Sequence, residues 1–585
     1  MHAIPRLARV AGALALALAA AACAPPGPDA NARLKQIYSD EWKWRNEQYA
    51  EDEDSQRPVQ DHLPKADAAA EEARLKHWED VLAQLKAIPR AELSADEQLN
   101  YDIYVPQIEV LIANQRFRDY EMPVNADTTF WTNLSYTARR PFRKPDEYQR
   151  WIKQMRDIPR FFREEIEQMR AGLKRGFTPP RITIQGLDKS ITAVTEATPE
   201  KSLFYTPFQD MPGVPAEQQA ALRAEAIAVI RDQVQPAYAE LLKFVREEYV
   251  PGARTTLAAA ELPDGKAYYR AKIREFTTLD MEPDAIHALG EQEVARLHEE
   301  MLSVMRETGF KGDFAAFLKF LRADPRFYAK SGEDLLMHAA WIAKKFDGKT
   351  PQFFGYLPRQ RFAIRPVPEE MAPFYTSGRG GPGLYLVNTY KVETRPLFNL
   401  TALTLHESAP GHAFQLSIAA EHKGQPEFRQ HTYISAYGEG WALYCERLGV
   451  EMGMYDTAYD RFGMLGYQIW RAARLVVDTG IHAKGWTRER AVAYLREFTS
   501  LPEHEVDTEV DRYISWPGQA LSYYLGELSI VKARAKAEAA LGTRFNVRAF
   551  HDALLELGSV PLPVLEARVD RFVAEGGKGP YPDME

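Results

Sequence analysis

Cysteine is almost missing from this chain: Cys23 and Cys445 are the only two among 585 residues. A modified Cys23 leaves Cys445 alone, so no internal disulfide forms even in an oxidising compartment. Stability must then rest on an apolar core, and 45% hydrophobic residues over this length can build a large one. Beyond the first residues no apolar run approaches membrane-spanning length. Basic clusters are lacking as well. Lys and Arg number 73 against 82 Asp and Glu, a net charge of −9, which argues against nucleic acid as a partner. There is no long Gly/Ser linker, no low-complexity tract after the N-terminal segment and no convincing repeat, so one large body is expected over residues 33–585.

What is present at the start reads as an export signal. Arg6 and Arg9 precede an apolar run from Val10 to Ala22. That run is too short and too rich in small residues for a good membrane span. It ends in Ala20-Ala21-Ala22-Cys23, followed by Ala24-Pro25-Pro26-Gly27-Pro28. Small residues before a cysteine, then a Pro-rich tether, resemble a bacterial lipoprotein signal, although Ala20 stands where such signals usually carry Leu. The expected division is a signal peptide over 1–22 and a tether over 23–32. Cys23 would be lipidated, placing the protein outside the cytoplasm, on a membrane or in the periplasm. Ala24 after Cys23 favours the outer membrane where one exists. Loss of Arg6 and Arg9 takes the formal charge to about −11.

Helical patterns dominate the rest. Pro145-Asp146-Glu147 opens a long amphipathic run that stops near Gly176. A second run spans about Ala216 to Glu248, with Pro236 as an expected kink. A third begins at Pro283 and ends near Gly309. Strand patterns are sparse. Arg361 to Val367 is one, and Leu384 to Tyr390 is a better one, because it follows the turn-rich Gly378-Arg379-Gly380-Gly381-Pro382-Gly383. After Arg395 the chain returns to helix almost to its end. A possible N-terminal lobe covers 33–255 and a catalytic lobe 256–585.

The most informative stretch is Leu405-His406-Glu407-Ser408-Ala409-Pro410-Gly411-His412. Zinc hydrolases commonly place two histidines four apart on one helix, with Glu beside the first as general base. Here the spacing is six, about 600° of helix, so the rings would point about 120° apart. Both reach one ion only if the helix breaks between them. Pro410 removes a backbone donor and Gly411 tolerates the backbone that results. A third ligand is expected from Gly438-Glu439-Gly440-Trp441, 27 residues past His412, enough for a helix to turn and return. Glu446 lies about 700° further, on nearly the same face. One carboxylate would ligate and the other orient a histidine; Glu439 is favoured as ligand, with Glu446 left as the alternative. Two histidines, one carboxylate and an open fourth position make a catalytic zinc site.

Together with Leu475 to His482 and Pro517 to Tyr523, these segments resemble the bacterial domain-of-unknown-function family 885 over most of the chain. Leu262 to Tyr269 and Ile286 to Gly290 look like its earlier segments. That family resembles helical zinc peptidases of the glutamate-ligand type. The resemblance implies a mainly α, two-lobed body with a deep cleft, a small β element beside the site, and a zinc ion. It also implies His406, His412 and Glu439 as ligands and Glu407 as base.

Two further helices supply candidates for the oxyanion donor. Arg474, Asp478 and His482 recur every four residues and form one stripe. Either it is an interhelical salt-bridged stripe, or His482 faces the cleft with Asp478 fixing its orientation. Tyr523 follows the Pro517-Gly518 break and is expected to offer its phenol to the oxyanion, with Tyr524 as an adjacent rival. His287 and Gln415 are expected to be structural, and His422 and His431 to lie on the surface. The Leu384–Tyr390 strand is either buried or pairs with an extended peptide. The expected activity is zinc-dependent peptide hydrolysis on a peptide or small amide substrate. The alternatives are a metal-dependent amidase or esterase acting on a non-peptide substrate, and a metal-binding lipoprotein without turnover.

Overall fold

The computed structural model describes residues 29–49, 59–126, 128–369 and 371–581. The signal segment, Cys23 and the tether up to residue 28 lie outside the described residues. Cys445 is buried and free. Among the described residues, no helix is long and apolar enough to cross a membrane.

The architecture is mainly α with one small sheet, as expected. Pro145–Arg175 forms a single helix. Its start is fixed by Glu147, which accepts from the backbone N–H groups of Arg143 and Lys144 at 2.8 and 2.9 Å. Its end is fixed by Gly176 at φ 76°, a left-handed cap that glycine adopts without cost. The second expected run is helical, but Pro236 does not kink it in the simple sense. A π turn over Ile230–Val234 precedes it, and Gln235–Phe244 continues the helix. The wider turn removes the clash between the proline ring and the carbonyl of the preceding turn.

Three strands form the sheet, in the order β1-β3-β2: β1 (Ala363–Pro366), β2 (Gly378–Gly381) and β3 (Leu384–Val387). β1 runs parallel to β3, and β2 antiparallel to it. β2 corrects the reading of Gly378–Gly383 as turn alone. Glycine is poor strand material, but here it is required by proximity. A Cβ on Gly380 would lie 1.6 Å from the Glu407 carbonyl oxygen. Backbone on both sides occupies β3, so β1 and β2 are the two edges.

Apolar side chains gather in three clusters. One runs from Val59 to Ala253 in sequence and serves the N-terminal half alone. A second surrounds a long helix, Ala458–Lys484, whose residues from Phe462 to His482 are almost all buried. That helix packs on Pro283–Glu307, where Gly290 lies directly against Leu475 and Val476. The third joins helices Ala30–Gln48, Ala68–Lys86 and Ala95–Phe117 to the C-terminal helices. Polar contacts reinforce this last junction. Arg429 donates to Asn100 at 3.0 Å, and Gln107 donates to Thr432 at 2.9 Å.

Among the helices that frame the large cavity are α1 (Leu397–Glu407), α2 (His412–Glu421), α3 (Ser435–Glu451), α4 (Ala458–Lys484), α5 (Glu503–Ser515) and α6 (Ser522–Leu541). The cavity encloses about 2800 Å³, and its walls include residues 95–111 near one end of the chain and 556–571 near the other.

Candidate metal centre

α1 stops at Glu407 and α2 starts at His412, so the break expected between the histidines is present. Several of its polar groups are bonded. Gly411 N–H donates to Leu405 O at 3.0 Å, Phe414 N–H to Ser408 O at 3.0 Å, and Trp441 Nε1 to Pro410 O at 2.8 Å. Gly411 has φ −74°, so a left-handed backbone is not what demands glycine. Close approach is: a Cβ there would sit 1.9 Å from His406 O. The break turns the two rings toward each other, with centroids 4.9 Å apart and planes at 85°.

Glu439 on α3 meets both rings. Its Oε2 lies 3.6 Å from His406 Nε2 and 3.4 Å from His412 Nε2. One ligand atom from each of these three residues falls within 4.8 Å of the others. Glu446, two turns along α3 and fully buried, holds His406 Nδ1 at 2.8 Å from its Oε1. This bond leaves Nε2 of His406 facing Glu439, so the two carboxylates divide the roles of facing and orienting. The glycines beside Glu439 each answer a contact. Gly438 takes the ring of Tyr433 against it, and Gly440 crosses α6 at Gly526 with no room for a Cβ on either.

The electrostatics follow from this packing. Burial alone would lower the pKa of His406, yet bonds to Glu439 and Glu446 carry it to about 10. Burial would raise the Glu439 carboxyl, yet the two histidines hold it well below the usual carboxylate range. Glu407 lines the same cavity as this cluster, and its Oε2 accepts from Gly380 N–H at 2.7 Å.

Tyr433 escaped the reading of the sequence, because it sits in a polar stretch with no helical period to mark it. Its hydroxyl donates to Glu439 Oε1 at 3.0 Å. Tyr523 stands near the start of α6, as expected, and lines the same cavity. Its hydroxyl lies 3.3 Å from Arg512 Nη2. Tyr524 turns elsewhere and donates to Glu293 at 2.8 Å.

His482 is a correction. It is fully buried away from the cavity. Its Nδ1 accepts from Ala259 N–H at 3.1 Å, and its Nε2 lies 2.8 Å from Tyr513 O. Asp478 does not orient it. That carboxylate instead accepts from Tyr269 Oη at 2.6 Å and from Gly518 N–H at 3.2 Å. Gly518, at φ 84°, is the turn that launches α6, so Asp478 acts on the position of Tyr523 rather than on His482. The stripe is the interhelical alternative: Arg474 donates to Tyr513 Oη at 2.9 Å and Glu509 Oε2 at 3.0 Å. His287 is structural as expected, 2.8 Å from Thr479 Oγ1. Gln415 is buried, His431 is exposed and stacks on Trp42, and His422 is half-buried rather than on the surface.

Burial pushes His482 down to about 3, so it is neutral throughout the physiological range. Its folded pKa is below its unfolded value, so its contribution to stability is full above about pH 6.5 and is lost as pH falls toward 3. His482→Ala should cost ~2–5 kcal/mol, because it strands a buried N–H and a buried carbonyl. Calorimetry should show the lower melting temperature, while kcat measured below it stays within about threefold of wild type. A collapse of kcat at unchanged melting temperature would return His482 to the mechanism.

No curated protein matches the chain. The crystal structure of a candidate lipoprotein from Colwellia psychrerythraea superposes with a TM-score of 0.85 at 25% identity, covering 94% of this chain and 100% of that one. A candidate lipoprotein of unknown function from Shewanella oneidensis shares the fold with a TM-score of 0.68 at 17% identity, covering 92% and 99%. The model of one family spans residues 49–569, the helical body and every residue of the histidine–glutamate cluster within it, and so this chain belongs to the bacterial proteins of unknown function grouped as DUF885.

Proposed function

We propose that the protein is an exported zinc-dependent hydrolase that cleaves peptide bonds. The observation that carries this reading is the convergence of His406, His412 and Glu439 with Glu407 at the wall of one large cavity. The donor set of two imidazole nitrogens and one carboxylate suits zinc, and Glu446 fixes which nitrogen of His406 is offered. Zinc, when bound, polarises a scissile carbonyl and lowers the pKa of water. Export is supported by the signal-like start and by the likeness to candidate lipoproteins, with Cys23 as the lipidated residue and the periplasmic side of a membrane as the location.

The protein's own groups do the rest. Glu407 takes the proton of the attacking water and delivers it to the leaving amine. The outer edge of β2 lines the cavity at Gly378 to Gly380 and receives an extended substrate backbone through the groups that Glu407 does not hold. Of the two readings of the Leu384–Tyr390 strand, pairing with a peptide falls away, because β3 is the central strand and has no free edge. Tyr433 and Tyr523 offer phenols to the developing oxyanion, and a neutral phenol costs less to bury than a charged group.

Digestion of a mixed peptide library, read by mass spectrometry, tests the function. Cleavage should stop with chelator and return with zinc. Turnover of simple esters or non-peptide amides with no peptide cleaved would refute the substrate class. Within this reading, Tyr433→Phe and Tyr523→Phe should each lower kcat by ~10- to 10²-fold, at unchanged zinc content and melting temperature. Unchanged kcat in both variants would remove the phenols from the mechanism.

A further inference from the structure

The geometry points to a carboxylate-binding pocket centred on Arg471, on the cavity wall beside Tyr523, that holds an anionic group of the substrate. This deepens the proposed function and rests on it. Arg471 is only 6% exposed and lines the cavity. Its guanidinium lies over Trp470 at 4.0 Å, over Tyr467 at 4.7 Å and near Tyr523 at 5.9 Å. The ring faces stabilise the charge but accept few of its N–H bonds. Nε and Nη1 are buried with no hydrogen-bond partner, and no described carboxylate pairs with the group.

Its neighbours are similarly unfilled. Arg474, stacked on Tyr523 at 4.4 Å, leaves Nη1 without a partner, and Arg395 leaves Nε. The acids on this wall do not close the account. Glu509 is taken by Arg474 at 3.0 Å and by Arg512 at 3.5 Å. Glu505 makes no ion pair with any of these arginines within 4.0 Å among the described contacts. Four guanidiniums therefore face two carboxylates, one of them already committed. Buried donors left unmade are costly, and a planar carboxylate fits a guanidinium fork through two parallel bonds.

The position gives the pocket its purpose. Tyr523 neighbours both groups: it lies against Arg471 and Arg474, and it is close to Tyr433, which donates to Glu439. A substrate with its reacting carbonyl at the histidine cluster can place a carboxylate on Arg471. That carboxylate is either a peptide's free C-terminus or an Asp or Glu side chain.

The test uses the zinc-loaded Glu407→Gln protein, which separates binding from turnover. Calorimetry would compare three forms of one acetylated neutral peptide: C-terminal acid, C-terminal amide, and amide with one Glu inserted. At least one anionic form should bind roughly 10- to 100-fold more tightly than the neutral amide. Preference for the acid form identifies the C-terminus, and preference for the Glu form identifies a side chain. Adding Arg471→Met should abolish the preference, and Arg395→Gln, at a half-buried position less critical to packing, should weaken it. Equal binding of all forms, no binding of either anionic form, or a preference that survives Arg471→Met overturns the pocket. Wild-type turnover keeps the two readings apart. Equal kcat/KM on acid, Glu and amide forms sinks the pocket and leaves the peptidase standing. Selective binding without cleavage of any library peptide leaves the pocket and sinks the peptidase.

Discussion

Glu407→Gln should retain one zinc per chain and lose ~10²- to 10⁴-fold in kcat. The substitution is nearly isosteric, and an amide oxygen can still accept from Gly380 N–H, where the carboxylate now takes a bond of 2.7 Å. β2 should therefore stay in place, and what disappears is the capacity to take a proton. Zinc by mass spectrometry, melting temperature and kcat would be measured on the same preparation. Near-normal turnover with full zinc would show that another group is the base. Loss of zinc would show that Glu407 belongs to the ligand set.

The largest loss of metal should come from the histidines. His406→Ala and His412→Ala should each leave less than about a tenth of wild-type zinc after dialysis, because two-residue sites bind far more weakly than three-residue ones. The two variants should differ in the absence of metal. Removing His406 also strips Glu446 of its partner, and the other oxygen of that buried carboxylate has none to begin with. Breaking such a buried pair costs ~3–5 kcal/mol. In chelator, His406→Ala should therefore melt well below His412→Ala. Wild type should gain melting temperature on adding zinc, and neither variant should. Full zinc occupancy in both variants would end the assignment.

Much of this centre was legible in the sequence, for a reason that can be stated. A spacing of six between histidines is incompatible with one unbroken helix, and Pro410-Gly411 sits where the break must fall. Glu439 and Glu446 share a helix face, so a ligand-and-support pair could be anticipated, and the hydrogen bond between His406 Nδ1 and the Glu446 carboxylate matches that division. What failed was depth. A four-residue period groups Arg474, Asp478 and His482 on one face, but it does not say how far along the helix the cavity ends. It ends after Arg474, and His482 lies inside the packed core. Arg471 carried a weak signal that was passed over: an arginine in a helix otherwise rich in apolar residues. β2 was unreadable because its four residues include three glycines, a poor strand composition in which Gly380 alone answers the nearness of Glu407. Tyr433 left no trace in any periodicity, since its place is set by the bare helix surface at Gly438.

The walls of the cavity have a consequence for timing. Residues 95–111 and 556–571 both line it, and Arg429 and Gln107 tie the early helices to the segment just before α3. A chain emerging N-terminus first reaches the histidines when most of its length is out, yet one side of the chamber is still unmade. Contacts this distant in sequence form late. The cavity is thus among the last parts of the molecule to close, and a truncated chain carries His406, His412 and Glu439 without the enclosure around them.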